Sequence, residues 1–388
     1  MKNKVSQGVR ISQKDGIQQS VKTFLKSLLE KEVFDAILIP LRVPAGDSFA
    51  WVLVKDPSLL DDAWPLAPIM PVQGAKALKS LTRKGKGKLQ IAALMRPCEI
   101  RASVELSKLN QVHLDNITLM SMDCPGALPM AGYLDNPQKG DKQFESMLSD
   151  PHEKCESAKT VCQGCDHFSL LPSSDFHFGF MTGEDPSIFL IPNTPKGQRI
   201  MKESGLKAGD SLANWAKRID ASVQKQKKRK QKNMKDVQSR VEGFDGLLET
   251  FAACIGCHNC QSACPICYCR QCYFDSETSK LDLDFILQKA KRRGGLSFPL
   301  DKRMFHVGRL SHMSLSCVAC GLCSDACPVS IPVAEVFSYV ADHTQQTFEY
   351  TAGEDREAVL PIQQFRLEEI QGVEKLIKDA EEVECQDE

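Results

Sequence analysis

Two cysteine runs of identical spacing restrict this chain more than any other feature. They are Cys254-x2-Cys257-x2-Cys260-x3-Cys264-Pro265 and Cys317-x2-Cys320-x2-Cys323-x3-Cys327-Pro328. Three thiolates two residues apart let the intervening backbone turn around a cubane and aim N–H groups at its sulfurs. The fourth cysteine, starting the next segment with its proline, reaches the companion cluster. The expected ligation is therefore crossed: Cys254, Cys257, Cys260 and Cys327 hold one [4Fe–4S] cluster, and Cys317, Cys320, Cys323 and Cys264 the other. Zinc sites use paired CxxC or mixed Cys/His sets and do not account for two such runs. The spacing predicts a C-terminal, mainly helical, two-cluster ferredoxin-like module.

The rest of the chain sets bounds on that reading. With 388 residues, 42% of them hydrophobic and 26% charged, it has enough material for two or three cored domains. The formal net charge of −1 gives no case for nucleic acid as a partner. No run of 18 apolar residues is present, so no direct membrane span is expected. The opening MKNKVSQGVRISQKDG lacks the apolar stretch of a secretory leader. Seventeen cysteines without such a leader argue for metal sites in a cytoplasmic chain and against a disulfide framework. Any membrane association would come through partner subunits.

Periodicity organises what precedes the module. VKTFLKSLLEKEVFD carries apolar residues at helical spacing, and AILIPL and FAWVLVKD are strand-like runs split by the turn-rich VPAGDS. A buried strand, a helix opened by Pro97 and a second strand running into Cys124 follow. This alternation predicts an α/β domain over residues 1–195. A basic helical linker is expected over 196–245, centred on QKQKKRKQKNMK and read as a solvated helix or linker. The ferredoxin-like module then spans 246–345, and 346–388 forms an extension with an acidic tail.

Several residues carry more than one reading. Cys124, Cys155, Cys162 and Cys165 suffice for a third [4Fe–4S] cluster, and equally for a tetrahedral zinc or free thiols. Cys98 sits at a helix start between Arg96, Pro97 and Glu99, where a thiol can have a lowered pKa or simply pack. Cys267, Cys269 and Cys272 can serve a further metal site, completed by His306, His312 or a partner's residue, or be buried thiols. Arg303, His306, Arg309 and His312 recur every third residue and are read as one helix face. That face is either a solvated or partner-facing stripe, or positive charge that steadies a reduced cluster or binds a cofactor. KGKGK around Gly85 and Gly87 reads as a basic surface turn or a phosphate contact, and no G-x-G-x-x-G is present.

The runs IAALMRPCEIRASVELSKL, ITLMSMDCPG and CQGCDHFSLLPSSDFHFG, with the two ferredoxin motifs, resemble the beta-subunit family of deazaflavin-coenzyme-reducing hydrogenases and formate dehydrogenases. The resemblance covers about residues 30–195 and 245–345. It implies an iron–sulfur flavoprotein that carries FAD near Cys98, Arg96 and Glu99, with a cluster on Cys124, Cys155, Cys162 and Cys165. It also implies partners that activate formate or hydrogen, and acceptors such as a heterodisulfide-reductase-type subunit or the deazaflavin coenzyme. Here the first 97 residues contain no cysteine and the two-cluster module comes last. The alternative is a flavin-free electron-wiring subunit with no catalytic site of its own.

Overall fold

A computed structural model of the chain describes residues 7–11, 16–149, 155–182 and 187–364, with only the backbone described at Cys155 and Phe244. The acidic end of the chain beyond 364 lies outside the described residues. The N-terminal part is built on one mixed sheet of strands β1 (Gln7–Ile11), β2 (Ala36–Arg42), β3 (Phe49–Val54), β4 (Ile91–Met95), β5 (Ile117–Met122), β6 (Phe176–Gly179), β7 (Ile188–Pro192) and β8 (Asp210–Ser211). Their order is β3-β2-β4-β5-β6-β7-β1-β8. The four strands β2, β4, β5 and β6 pair in parallel, whereas β3 and the β7-β1-β8 side are antiparallel.

Sequence explains the centre of this sheet. IAALM and ITLMSM are buried at every position, as strands covered by helices on both faces must be. VPAGDS closes the β2–β3 hairpin, where Gly46 takes a positive φ of 79° and its N–H donates to Val43 O at 2.8 Å. The Ile17–Glu30 helix buries Val21, Leu25, Leu28 and Leu29, the i, i+4, i+7, i+8 stripe expected of its periodicity. After β4, Pro97 occupies the first turn of the Pro97–Lys108 helix, and the Glu99 carboxylate accepts from Arg96 N at 2.9 Å. The same carboxylate accepts from Gly74 N at 2.9 Å, joining this helix to the start of the Gly74–Leu81 helix.

The basic stretch belongs to a single 29-residue helix, Ala213–Val241. It buries Trp215, Ile219 and Val237, so it is more than a solvated spacer. Its Trp215 Nε1 donates to the buried Asp123 carboxylate at 2.9 Å. That carboxylate also accepts from His177 Nε2 at 2.9 Å, Phe180 N at 2.8 Å and Met181 N at 3.0 Å. One buried anion thus ties the long helix to β5 and β6. The helix then leads into a mainly helical C-terminal region that includes Lys302–Met313 and Val333–Thr347.

Candidate redox site

The sheet decides where the N-terminal thiols meet. β4 and β5 are parallel neighbours with Met95 opposite Ser121, so Cys98 and Cys124 leave equivalent strand ends three residues later. Ligand-binding residues collect at such carboxyl ends in α/β sheets. The connection from β5 to β6 carries Cys162 and Cys165 back to the same edge. A Cβ added to Gly126 would stand 3.2 Å from Cys162 Cβ, which shows how closely the two segments pass. Arg96 Nη1 donates to Cys124 Sγ at 3.0 Å and to Gly126 O at 2.8 Å. Burial raises the Cys98 thiol well above its usual range, and the neighbouring charges of Glu99, Cys320, Cys124 and Cys162 raise it further. Burial likewise carries Cys162 up to about 11 and Cys165 up to about 12.

Of the expected set, Cys124, Cys162 and Cys165 gather at this sheet edge. Cys98 stands within electrostatic reach of Cys124 and Cys162, whereas the Cys155 side chain lies outside the described residues. Arg96 and Glu99 are committed to protein atoms: Arg96 to the Cys124 sulfur and two carbonyls, Glu99 to two helix starts.

In the C-terminal region, Cys264, Cys317, Cys320 and Cys323 line one small cavity together with Arg309 and Phe337. Cys260 feels the charges of Cys254, Cys327 and Cys257. Burial takes Cys317 up to about 11 and Cys320 up to about 12, and Cys323 well above its usual range. Cys264 goes the other way, to about 6, because Cys267 hydrogen-bonds to it. Thiols crowded into an apolar interior resist ionising until a cation joins them, and the irons of a cubane supply that charge. The donor set therefore fits two [4Fe–4S] clusters.

The stripe of polar residues on the Lys302–Met313 helix does not share one face. A step of three residues falls about 60° short of a full turn at 3.6 residues per turn, so four such positions drift around the helix. Arg303 and His312 are exposed, while His306 and Arg309 are buried against the first motif. His306 Nε2 lies 3.3 Å from Cys254 Sγ, and the imidazole stacks on Phe251 with centroids 3.9 Å apart. Burial and the nearby Arg309 lower its pKa to about 4, so the ring is neutral. Arg309 Nη1 donates to Cys260 Sγ at 3.1 Å and Nη2 to Cys260 O at 3.2 Å. Burial disfavours the guanidinium charge, yet the thiols of Cys267, Cys260 and Cys264 hold its pKa above the ordinary value.

Cys267, Cys269 and Cys272 have separate surroundings. Cys267 Sγ lies 3.4 Å from Met313 Sδ, Cys269 is exposed, and Cys272 is half-buried. Among the described residues no three His, Cys, Asp or Glu side chains converge on a single metal ion, whereas a cubane spreads its four thiolates over four irons. The KGKGK turn is surface, with Lys86 within 4.0 Å of Asp115 and both side chains mostly exposed.

The second motif packs directly on the N-terminal cysteine segment. Lys159 and Asp325 form a buried ion pair, and a Cβ on Gly321 would meet Val161 Cγ2 at 2.8 Å. Beside this contact lies a cavity of about 640 Å³ bounded by Cys165 and His167, by Cys317 and Tyr339, and by Lys227 and Lys230 of the long helix. Lys230 pairs with Asp342 across it and lies 3.7 Å from Asp166. Sequence reasoning missed this cavity because its three walls are far apart in the chain. It is bounded by Cys165 and Cys317, and Cys98 is not among its lining residues.

Residues 250–331 match the family model of the 4Fe-4S dicluster domain. Over 369 residues, or 87% of this chain and 92% of the relative, the sequence is 25% identical to the F420-dependent formate dehydrogenase subunit beta of Methanocaldococcus jannaschii. It is 26% identical over 373 residues to the F420-dependent formate dehydrogenase 1 subunit beta of Methanococcus maripaludis, covering 87% of this chain and 91% of that one. A chain of the F420-reducing [NiFe] hydrogenase complex from Methanosarcina barkeri is 12% identical with a TM-score of 0.44, covering 62% of this chain and 94% of that chain.

Proposed function

Because the chain is an iron–sulfur electron-transfer protein related along most of its length to the beta subunits of deazaflavin-dependent formate dehydrogenases, we propose that it wires a redox assembly through three [4Fe–4S] clusters. The observation that carries this reading is the continuity of the thiols. Cys260 feels Cys327, Cys317 feels Cys264, and Cys98 feels both Cys320 of the second motif and Cys124 and Cys162 of the N-terminal set. The row begins at the solvent-exposed Cys257 and ends at the half-buried Cys165. Bound clusters would supply one-electron exchange. The chain's part is to hold the thiols in line, exclude water from the inner sets and place a cation beside two of them.

The third site in this proposal uses Cys98, Cys124, Cys162 and Cys165, with Arg96 against the Cys124 sulfur. Iron analysis of anaerobically prepared protein should give about twelve irons per chain, at four per cubane. Cys98→Ser should lower that figure to about eight while leaving the signals of the other two clusters in place. Twelve irons retained in Cys98→Ser but lost in Cys155→Ser would return the fourth ligand to Cys155.

One observation favours a second reading, in which a flavin couples the row to an organic acceptor. The cavity of about 640 Å³ touches Cys165 on one wall and Cys317 on another. Its size is that of a small-molecule site, and Tyr339, His167 and Lys227 offer stacking and charge. Flavin released by denaturing the same iron-loaded sample would establish it, and its absence would leave the wiring role alone.

A further inference from the structure

Opposite its buried side, the Lys302–Met313 helix turns Met304 and Val307 outward, 68% and 46% exposed. They lie on the element whose inner residues His306 and Arg309 touch the first-motif thiols. Ile255, 58% exposed, belongs to the first motif itself, and a Cβ on the next residue, Gly256, would meet the Pro299 ring at 3.0 Å. Phe298, 66% exposed, precedes that proline. Five residues further back ends the Leu283–Arg293 helix, none of whose residues is buried. It holds Leu283 and Leu287 in solvent and finishes in Lys289, Lys291, Arg292 and Arg293. A chain rarely leaves so many large apolar side chains exposed along one stretch, from Ile255 to Val307, without a partner to cover them.

We propose that this face, from Ile255 through Phe298 and Met304 to the Leu283–Arg293 helix, is where an acidic redox protein docks to exchange electrons with the first-motif cluster. The inference rests on the wiring role above and adds the partner's place and chemistry. Two observations choose the occupant. Cys257, the most solvent-accessible thiol of either motif, opens beside the face, so what covers it gains access to the outermost cluster. The exposed cations Lys291, Arg292 and Arg293 at the helix end give the apolar patch a positive flank, which complements an acidic rim and speeds encounter. An apolar centre with a charged border is the anatomy of a specific, exchangeable interface.

The test uses the full-length, cluster-loaded protein and two reductants: a dithionite-reduced acidic two-cluster ferredoxin as the protein probe, and reduced methyl viologen as a small dye. A K291E/R292E/R293E variant and a separate Phe298→Ser/Met304→Ser variant alter only exposed side chains. Both should slow cluster reduction by the ferredoxin at least tenfold, and the charge variant should lose most of its salt dependence. Reduction by methyl viologen should be unchanged. An unaltered ferredoxin rate in both variants overturns the docking face while leaving the wiring role intact. Failure of methyl viologen to reduce the wild-type clusters overturns the wiring role and the face with it. Co-sedimentation of wild-type protein, but not the variants, with anionic phosphatidylserine vesicles overturns the protein partner in favour of a lipid surface. A concentration-dependent dimer that both variants abolish overturns it in favour of a second copy.

Discussion

Arg309 shows how much one side chain can contribute at a cluster thiolate. Its guanidinium is buried, stacks 4.7 Å over Phe337 and donates to Cys260 Sγ. A charge-assisted hydrogen bond to a cluster sulfur favours the reduced, more negative state. Such bonds are worth about 1.5–3 kcal/mol. Part of that difference between oxidation states corresponds to a shift on the order of 50–100 mV for a one-electron couple. Arg309→Gln should therefore lower the reduction potential of the first-motif cluster by that amount, with Arg309→Lys recovering part of it. An EPR-monitored redox titration checks this, and the second-motif cluster should shift less. His306 acts differently: it is neutral and offers Nε2–H to Cys254 without a charge.

Among the elements, the segment after the Val333–Thr347 helix has a role the cysteine pattern does not announce. It straps the ferredoxin-like region back onto the α/β domain. Arg101 Nε donates to Ala352 O at 2.7 Å, Gly353 N to Glu105 Oε1 at 2.7 Å, and Ser173 Oγ to Gly353 O at 3.1 Å. Tyr350 hydrogen-bonds to the same Glu105 carboxylate, and Arg356 NH2 lies 3.1 Å from Asp175. Gly353 has φ +69°, and a Cβ there would fall 2.1 Å from Arg101 O, closer than any real side chain allows. Gly353→Val should release the strap and cost about 2–4 kcal/mol, the range of a strained backbone plus broken buried hydrogen bonds. Limited proteolysis should then cut between residues 347 and 360, where the wild-type protein resists.

For the molecule as a whole, cluster binding and folding should be coupled unevenly. One face of the sheet has a core of its own, while the other face of β4 and β5 shares a core with the motif segments, whose crowded thiols depend on iron to balance most of their charge. Stripping iron with a chelator under reducing conditions should raise amide exchange in 254–272 and 317–333 by tenfold or more. The amides of β4 and β5 should stay protected, as hydrogen-exchange mass spectrometry would show. Equal loss of protection in the sheet would mean that the clusters hold the entire chain together. Among the described residues no helix is long and apolar enough to cross a membrane.

The two CxxCxxCxxxCP runs were legible because cluster chemistry writes its demands locally: three thiols, fixed spacing, a closing proline. Strands IAALM and ITLMSM, the hairpin at Gly46 and the helix opened by Pro97 were legible for the same reason, since local pattern and backbone restriction set them. Tertiary structure alone decided which distant thiols are neighbours. Parallel pairing of β4 with β5 carries Cys98 to Cys124, and the Lys159–Asp325 contact lays Cys320 beside them, although 222 residues of chain separate Cys98 from Cys320. It also turned His306 and Arg309 inward, because the three-residue spacing drifts around a helix whose buried side is fixed only by what packs there. Sequence thus determined the kind of centre, through chemistry that is local along the chain. The fold determined which thiols meet and what surrounds them, through contacts that close only when the sheet is assembled.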